Sequence, residues 1–287
     1  MTDRLWCRGV QMKKKYFALP YLVWMIIFTV VPLILVIYYA ITKTGQSGNL
    51  ILTTEYLQTA FSAENMSVLG RSLWYAVITT VVCLVLAYPA AMLLSKLKRS
   101  TAGIISMLYV LPMWMNFLLR TYAWKALLDL NGPINSFLGL FGLEPIQFLY
   151  TQGAIIFGLV YNFLPFMLLP IYSVFQKMDL SFEQAAEDLG ANKIQVFTRV
   201  TLPLTRPGII TGITMVFMPV VSTFIISRLL GGSNYLMYGD ILENQFMLLS
   251  DWNTGSALAI VMMVLLVLSM AIMRKYDKDG SEGGNVV

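Results

Sequence analysis

Six apolar runs constrain this chain more than anything else in it: Phe17 to Ile41, Leu73 to Leu94, Thr101 to Leu119, Ala154 to Phe175, Ile209 to Leu230 and Thr254 to Met273. A helix rises about 1.5 Å per residue, so crossing about 30 Å of hydrocarbon takes about 20 apolar residues, and each run is near that length. No water reaches a backbone inside the membrane, so the spanning segment must pair its own N–H and C=O groups, which a helix does. The expectation is an all-α integral membrane protein with six transmembrane helices, in which the third and sixth spans, the shortest, have the least defined ends. Composition agrees: 57% of residues are hydrophobic and 12% charged, against about 45–50% and about 25% in a soluble domain. No small-residue cleavage site follows the first run, which is also too long for a signal peptide, so it counts as a span.

Orientation follows from the basic residues, which gather near the cytoplasmic ends of spans. Arg4, Arg8, Lys13, Lys14, Lys15, Lys96, Lys98, Arg99, Lys177, Lys193, Arg199, Arg206, Arg274, Lys275 and Lys278 fall on one side, and only Lys43, Arg71, Arg120, Lys125 and Arg228 on the other. Both termini are therefore expected in the cytoplasm, and the net charge of +5 serves topology rather than nucleic-acid binding. The chain reads as an N-terminal tail 1–16, a first helix with its outer loop 17–66, a core of five helices 67–273 enclosing a cytoplasmic loop 176–208, and a C-terminal tail 274–287. The outer loops carry Glu55, Glu64, Asp129, Glu144, Asp240, Glu243 and Asp251, an acidic face that would attract a cationic solute. A short helix is expected around Glu55 to Ser62, and two more on either side of the Asn131-Gly132-Pro133 turn.

Catalysis is disfavoured. The chain has no histidine, which excludes histidine-based triads and histidine-ligated metal or haem, and its two cysteines are too few for a zinc site. Prolines within the runs, at Pro32, Pro89, Pro112, Pro165, Pro170 and Pro219, each remove a backbone hydrogen bond and are expected to bend or break a helix. Asn162 with Pro165 and Pro170 suggests a helix lining a path. Gly208-Ile-Ile-Thr-Gly212 fits a GxxxG close-packing face.

One stretch, Ser181 to Gly208, is long, polar and charged. Ser181 and Gln184 have capping-box spacing, and Ala185, Ala186 and Leu189 give the first helix a small apolar face. Gly190 supplies a stop, Asn192 with Gln195 repeats the box, Ile194, Phe197 and Val200 form a second stripe, and Leu202-Pro203 is expected to end that helix. Taken by itself the segment is a helix, a glycine turn and a helix on the cytoplasmic side.

Its residues also resemble the signature of permease subunits of ABC importers: Glu-Ala-Ala, three residues, Gly, nine residues, Ile, one residue, Leu-Pro. Ala185, Ala186, Gly190, Leu202 and Pro203 match in spacing, Val200 replaces the isoleucine, and Gln184 occupies the glutamate position with Glu183 just before it. The resemblance implies a type I ABC importer permease fold, in which the first short helix docks on a separate ATPase. The coupling residues it points to are Glu183, Gln184, Ala185, Ala186, Asp188, Leu189, Gly190, Leu202 and Pro203. No GxxxxGK[ST] phosphate loop occurs in the chain, so no cofactor is expected on it, and ATP and magnesium would belong to the partner.

From about Leu69 to Met273 the chain further resembles the first permease subunit of spermidine/putrescine importers. The stretches that carry this are Leu111 to Trp124, Gly158 to Phe166, Leu229 to Gly232, Gln245-Phe246 and Asp251-Trp252. It implies a bacterial cell-membrane permease working with an ABC ATPase homodimer, a second homologous permease and an extracytoplasmic polyamine-binding protein, surrounded by lipid. Permeases for thiamine, iron, phosphonate or sulfate share the scaffold. A non-transporting scaffold would explain the helices but not the signature, and a membrane enzyme would need a cluster of acids, histidines or metal ligands that the sequence lacks.

Polyamine ammonium groups lose hydration in a pore, so acids and aromatic faces should receive them. The candidates are Trp114, Tyr122, Trp124, Asp129, Asp240 and Glu243 near the outer mouth, with Tyr161 and Asn162 deeper. Tryptophan and tyrosine at span ends also serve as interfacial anchors, and no acid lies at the centre of a span, so selectivity is expected to reside in the binding protein. Arg120 and Arg228 would repel a cation and are assigned to structural pairing or docking.

Overall fold

A computed structural model describes residues 19–44, 49–179 and 181–282. In chain order the elements are α1 (Leu19–Ile41), β1 (Thr42–Thr44), β2 (Leu50–Leu52), α2 (Glu55–Ala60), α3 (Ala63–Ser95) and α4 (Arg99–Val110). They continue with α5 (Phe117–Leu128), α6 (Pro133–Gly139), α7 (Gln152–Lys177), α8 (Ser181–Asp188), α9 (Lys193–Ser222), α10 (Tyr238–Glu243) and α11 (Trp252–Glu282). The described residues form two compact units, one of those up to Ser62 with Gln245–Met263, the other of those between Ala63 and Asn244 with those from Val264.

In the first unit, α1 leaves its whole apolar window unburied within the chain, as a helix does when hydrocarbon is its surroundings. Its end is closed by Asn253, whose Nδ2 donates to the carbonyls of Tyr39 at 2.8 Å and Thr42 at 2.6 Å. These are carbonyls that a helix terminus leaves without partners. β1 and β2 pair antiparallel, Lys43 opposite Ile51, and Lys43 Nζ meets Glu55 Oε2 at 2.8 Å. The glutamate holds the lysine pKa above its ordinary value, first through that hydrogen bond and then through its charge.

The second unit is built on α3, α7 and α9. Tyr75, Ala76, Cys83, Ala87 and Ala91 of α3, Ile155, Leu159, Met167 and Ile171 of α7, and Val216, Val220 and Val221 of α9 form its buried core. Between membrane helices close packing replaces the hydrophobic effect as the source of cohesion, and small residues make it possible. A Cβ on Gly212 would lie 3.1 Å from the Met167 carbonyl oxygen, and one on Gly208 would lie 3.0 Å from that of Pro170. The GxxxG pair is thus a contact face on α7.

Among the described residues five helices are long and apolar enough to cross a membrane: α1, α3, α7, α9 and the Trp252–Lys275 part of α11. The third run behaves differently from the expectation of one helix over Thr101 to Leu119. It breaks into Ser100–Trp114 and Phe117–Gly139, bent by 91°. Pro112 lies in a 3-10 turn, Leu111–Trp114, and Asn116 starts the next helix by accepting the Leu118 N–H at 2.8 Å, so proline and cap together redirect the chain.

Other differences have equally local causes. The fifth span is not Ile209 to Leu230; α9 begins at Lys193 and ends at Ser222, with Thr223 extended. Leu202-Pro203 does not end a helix, because a π turn at Phe197–Thr201 lets the Leu202 N–H reach the Phe197 carbonyl and the helix runs on past Pro203. The same device precedes Pro32, where a π turn at Ile26–Val30 comes before Val31. Pro89, Pro165, Pro170 and Pro219 all sit inside continuous helices. α3 reaches back to Ala63, so the first outer loop is shorter than expected. The helix at Glu55 and the pair flanking Asn131-Gly132-Pro133 are present.

Candidate functional site

The signature segment folds as helix, glycine turn and helix. Ser181 opens α8, but the capping carboxylate is that of Asp179, which accepts the Ser181 N–H at 2.9 Å. That bond holds the Asp179 carboxyl below its ordinary pKa. At the other end of α8 Gly190 has φ +83°. Its N–H donates to the Glu187 carbonyl at 2.9 Å and the Ala191 N–H to that of Ala186 at 3.0 Å, the paired bonds of a Schellman cap. A Cβ there would meet nothing within 4 Å; the demand for glycine is conformational, since positive φ suits only a residue without Cβ. Asn192 and Gln195 form the expected capping box, with both bonds at 2.9 Å.

Within the motif, Glu183 and Gln184 point differently. Glu183 is half-buried and its Oε1 accepts the Thr201 hydroxyl at 2.7 Å, tying α8 to the base of α9. Gln184 is exposed. The carboxylate that the signature displaces by one residue therefore holds the segment together internally. Phe182, Leu189 and Ile194 are 56%, 89% and 74% exposed, and a shallow groove runs between the two helices along Ala186, Leu189, Gly190, Gln195 and Arg199. Pro203 and Leu202 lie just beyond the π turn, away from that groove. Neither Thr201 nor Thr205 was singled out by sequence reasoning; the only hint is their i, i+4 spacing in an otherwise apolar helix entry.

The residues expected near the solute fall into separate groups. Trp124 packs edge-on against Phe157 and Tyr161, with ring centres 4.6 and 5.2 Å apart, so α5 crosses α7 there. Arg120, one turn earlier, is buried with its guanidinium 5.9 Å from the Phe117 ring centre. Asn162 is buried inside α7; its Nδ2 donates to the Gly158 carbonyl at 2.8 Å, while its Oδ1 has no hydrogen-bond partner among the described residues. Trp114 and Tyr122 are exposed. Asp129 accepts the Asn131 N–H at 3.2 Å and shapes the turn before α6.

Asp240 is not a solvated loop acid. It is fully buried, and its Oδ2 accepts the Ser227 hydroxyl at 2.6 Å and the Met237 N–H at 2.7 Å. Burial pushes its carboxyl up from the ordinary value, against those two bonds and the Arg228 charge, which draw it down. Arg228 lies 4.0 Å from Asp240, pairs with Glu243 and donates to Asn244 Oδ1 at 2.7 Å. This is the structural pairing expected of Arg228. Among the described residues no three His, Cys, Asp or Glu side chains gather as metal ligands.

The helix-glycine-helix thus lies between the fourth and fifth apolar runs and leaves Phe182, Leu189 and Ile194 exposed. The family described as "Binding-protein-dependent transport system inner membrane component" matches residues 83–279, and the chain belongs to it. It is therefore a multi-pass inner-membrane permease subunit of an ABC transporter, not an enzyme. Among its relatives is the spermidine/putrescine transport system permease protein PotB of Haemophilus influenzae, 38% identical over 259 residues, covering 89% of this chain and 91% of the relative. PotB of Escherichia coli is 35% identical over 253 residues, covering 87% and 92%. A chain of the bacterial alginate ABC transporter, in complex with its alginate-pentasaccharide-bound periplasmic protein, superposes with a TM-score of 0.77 over 96% of this chain and 99% of that one, at 16% identity. That likeness bears on the fold.

Proposed function

We propose that the chain is a permease subunit that moves a polyamine, spermidine or putrescine, across the membrane by alternating access, driven by a separate ATPase. The observation that carries the coupling half is the signature segment itself: an α8 closed by a Schellman cap, anchored from within by Glu183 and showing Leu189 and Ile194 to water. Exposed apolar residues on an otherwise polar segment call for a partner. The groove beside Ala186, Gly190 and Arg199 suits an ATPase, assigned as a homodimer that holds the ATP and magnesium. The polyamine half rests on kinship with the PotB proteins and is supported by Asn162, whose buried, unpartnered Oδ1 is an acceptor for an ammonium N–H.

In this reading Ser181 to Gly208 and both termini face the cytoplasm, in line with the distribution of lysine and arginine. The bent pair Ser100–Trp114 and Phe117–Gly139 supplies the sixth crossing. The core 67–273 is the permease proper, preceded by the tail 1–16 and the 17–66 segment and followed by the tail 274–287. A second homologous permease completes the pathway, and an extracytoplasmic polyamine-binding protein delivers the solute to the face bearing α5, α6 and α10. Trp124, Tyr161 and Asn162 are the pathway contacts this arrangement favours. Asp240 and Glu243, being tied up by Ser227 and Arg228, serve that end as structural groups.

The test is uptake of radiolabelled spermidine by vesicles containing the full complex, challenged with unlabelled putrescine, thiamine, phosphonate and sulfate. Spermidine uptake inhibited by putrescine alone supports the reading; no spermidine uptake, with uptake of labelled thiamine, phosphonate or sulfate in its place, replaces it. Gentle solubilisation should bring down an ATPase and a second permease, and recovery of the chain without an ATPase would sink the coupling half.

A further inference from the structure

A chain of hydrogen bonds leads from α8 into the bundle. Glu183 Oε1 accepts the Thr201 hydroxyl at 2.7 Å. The Thr205 hydroxyl donates back to the Thr201 carbonyl at 2.9 Å, and Thr205 Oγ1 lies 2.9 Å from the Tyr88 hydroxyl. The Thr205 hydroxyl also lies 3.1 Å from the Leu202 carbonyl, and either hydroxyl can donate in the contact with Tyr88. The contacts run from Glu183 to the Thr201 side chain, and from the carbonyl of that same Thr201 through the Thr205 hydroxyl to Tyr88, so α8 is linked to α3 through the backbone of α9. Thr201, Thr205 and Tyr88 are all buried. The Tyr88 ring meets Phe175 of α7 and Phe197 of the α9 π turn edge-on, at 5.6 and 5.8 Å between centres. One side chain of α3 thereby touches both of the helices it packs with.

We propose that Thr201, Thr205 and Tyr88 are the positioning residues through which displacement of α8 reaches α3 and α7. The proposal rests on α8 being the ATPase-facing helix. Stability alone gives no reason for this chain, because replacing both partners of a buried hydrogen bond by apolar groups of the same shape is nearly neutral. What hydrogen bonds add is a fixed distance and direction, whereas apolar surfaces slide over one another. A cavity of about 230 Å³ bordered by Met92, Ser95, Tyr172, Gln176 and Glu183 gives α8 room to move beside the link. The π turn at Phe197–Thr201 lies within it, where helices commonly carry functional irregularity.

The experiment measures ATP hydrolysed per solute imported by the full complex in proteoliposomes, for Thr205→Val, Tyr88→Phe and Thr201→Val, with Thr205→Ser and Thr201→Ser as conservative partners. The expected result is a rise in that ratio by about fivefold, the factor one net hydrogen bond carries in an equilibrium, with the serine variants near the parent value. Complex assembly, read by co-purification of the ATPase, should be unchanged. A parent-like ratio in Thr205→Val and Tyr88→Phe overturns the proposal, as does a fall in assembly with the ratio unaltered, which would make the link structural only. Spermidine uptake by the parent complex tests the functional reading separately, since the ratio can be measured on any solute the complex carries.

Discussion

The two ends of the α3, α7 and α9 bundle are built on opposite plans. At the end bearing α10, charge is turned inward: Asp240 is fully buried, held by Ser227 and Met237, and Arg228 bridges towards it while pairing with Glu243 and Asn244. At the end bearing α8, hydroxyls are turned inward and apolar side chains outward, with Leu189 and Ile194 among the most exposed residues. A region that satisfies its own charges is complete by itself. One that leaves leucine and isoleucine in water is completed by something else. Substitutions at the first end should therefore act on stability and those at the second on transport.

The sharpest break in that contrast would come from Asp240→Ala, which strands the buried Met237 N–H and leaves the Ser227 hydroxyl only the Phe224 carbonyl. A buried group left unsatisfied costs about 1–3 kcal/mol, so a loss of about that size is expected, seen as a clear fall in thermal stability in detergent. Unchanged stability would end the idea that the end bearing α10 is self-sufficient. Gly190→Val comes next. It forces a β-branched residue to φ +83°, at about 1–2 kcal/mol or more, and should abolish most solute uptake while the bundle melts near the parent temperature. Normal uptake by that variant would remove the coupling role. Glu243→Gln weakens a partly exposed pair, worth about 1 kcal/mol or less, so a small drop in melting temperature with transport retained is expected. Gln184→Glu is the mildest. The residue is exposed, and Glu183 already supplies the internal carboxylate, so uptake should stay at the parent level; a clear gain or loss would assign Gln184 a direct contact with the ATPase.

What was legible in the sequence depended on how far its cause reached. Apolar length and local caps are carried by neighbouring residues, which is why four of the six runs lie within single helices over their described residues and why the Asn192–Gln195 box and the left-handed Gly190 match their patterns. The 91° break after Trp114 had a visible proline, but it is the Asn116 cap four residues on that lets Pro112 end a helix, whereas Pro165 and Pro170 leave α7 continuous. Asp240 read as a loop acid because its burial depends on Ser227, thirteen residues earlier, and on Arg228. Tyr88 and Thr205 are separated by more than a hundred positions, and a tyrosine inside an apolar run has no pattern to mark what its hydroxyl will meet. Long-range polar pairing is decided by packing, and packing between membrane helices leaves little periodic trace.

The π turn before Pro203 has a consequence for rotation. It accommodates one residue beyond the α count, and a single residue is worth about 100° around a helix with 3.6 residues per turn. In unbroken α geometry the Pro203 ring would collide with the carbonyl four residues earlier, that of Arg199, and the π turn just before it relieves that clash. The proline therefore acts as a phase key: it keeps the lower part of α9, which carries the contact to Glu183, in one fixed angular setting relative to the upper part, whose Gly208 and Gly212 lie against α7. The final dipeptide of the signature is in this sense an angular adjustment, matching the face that meets α8 to the face that meets the bundle.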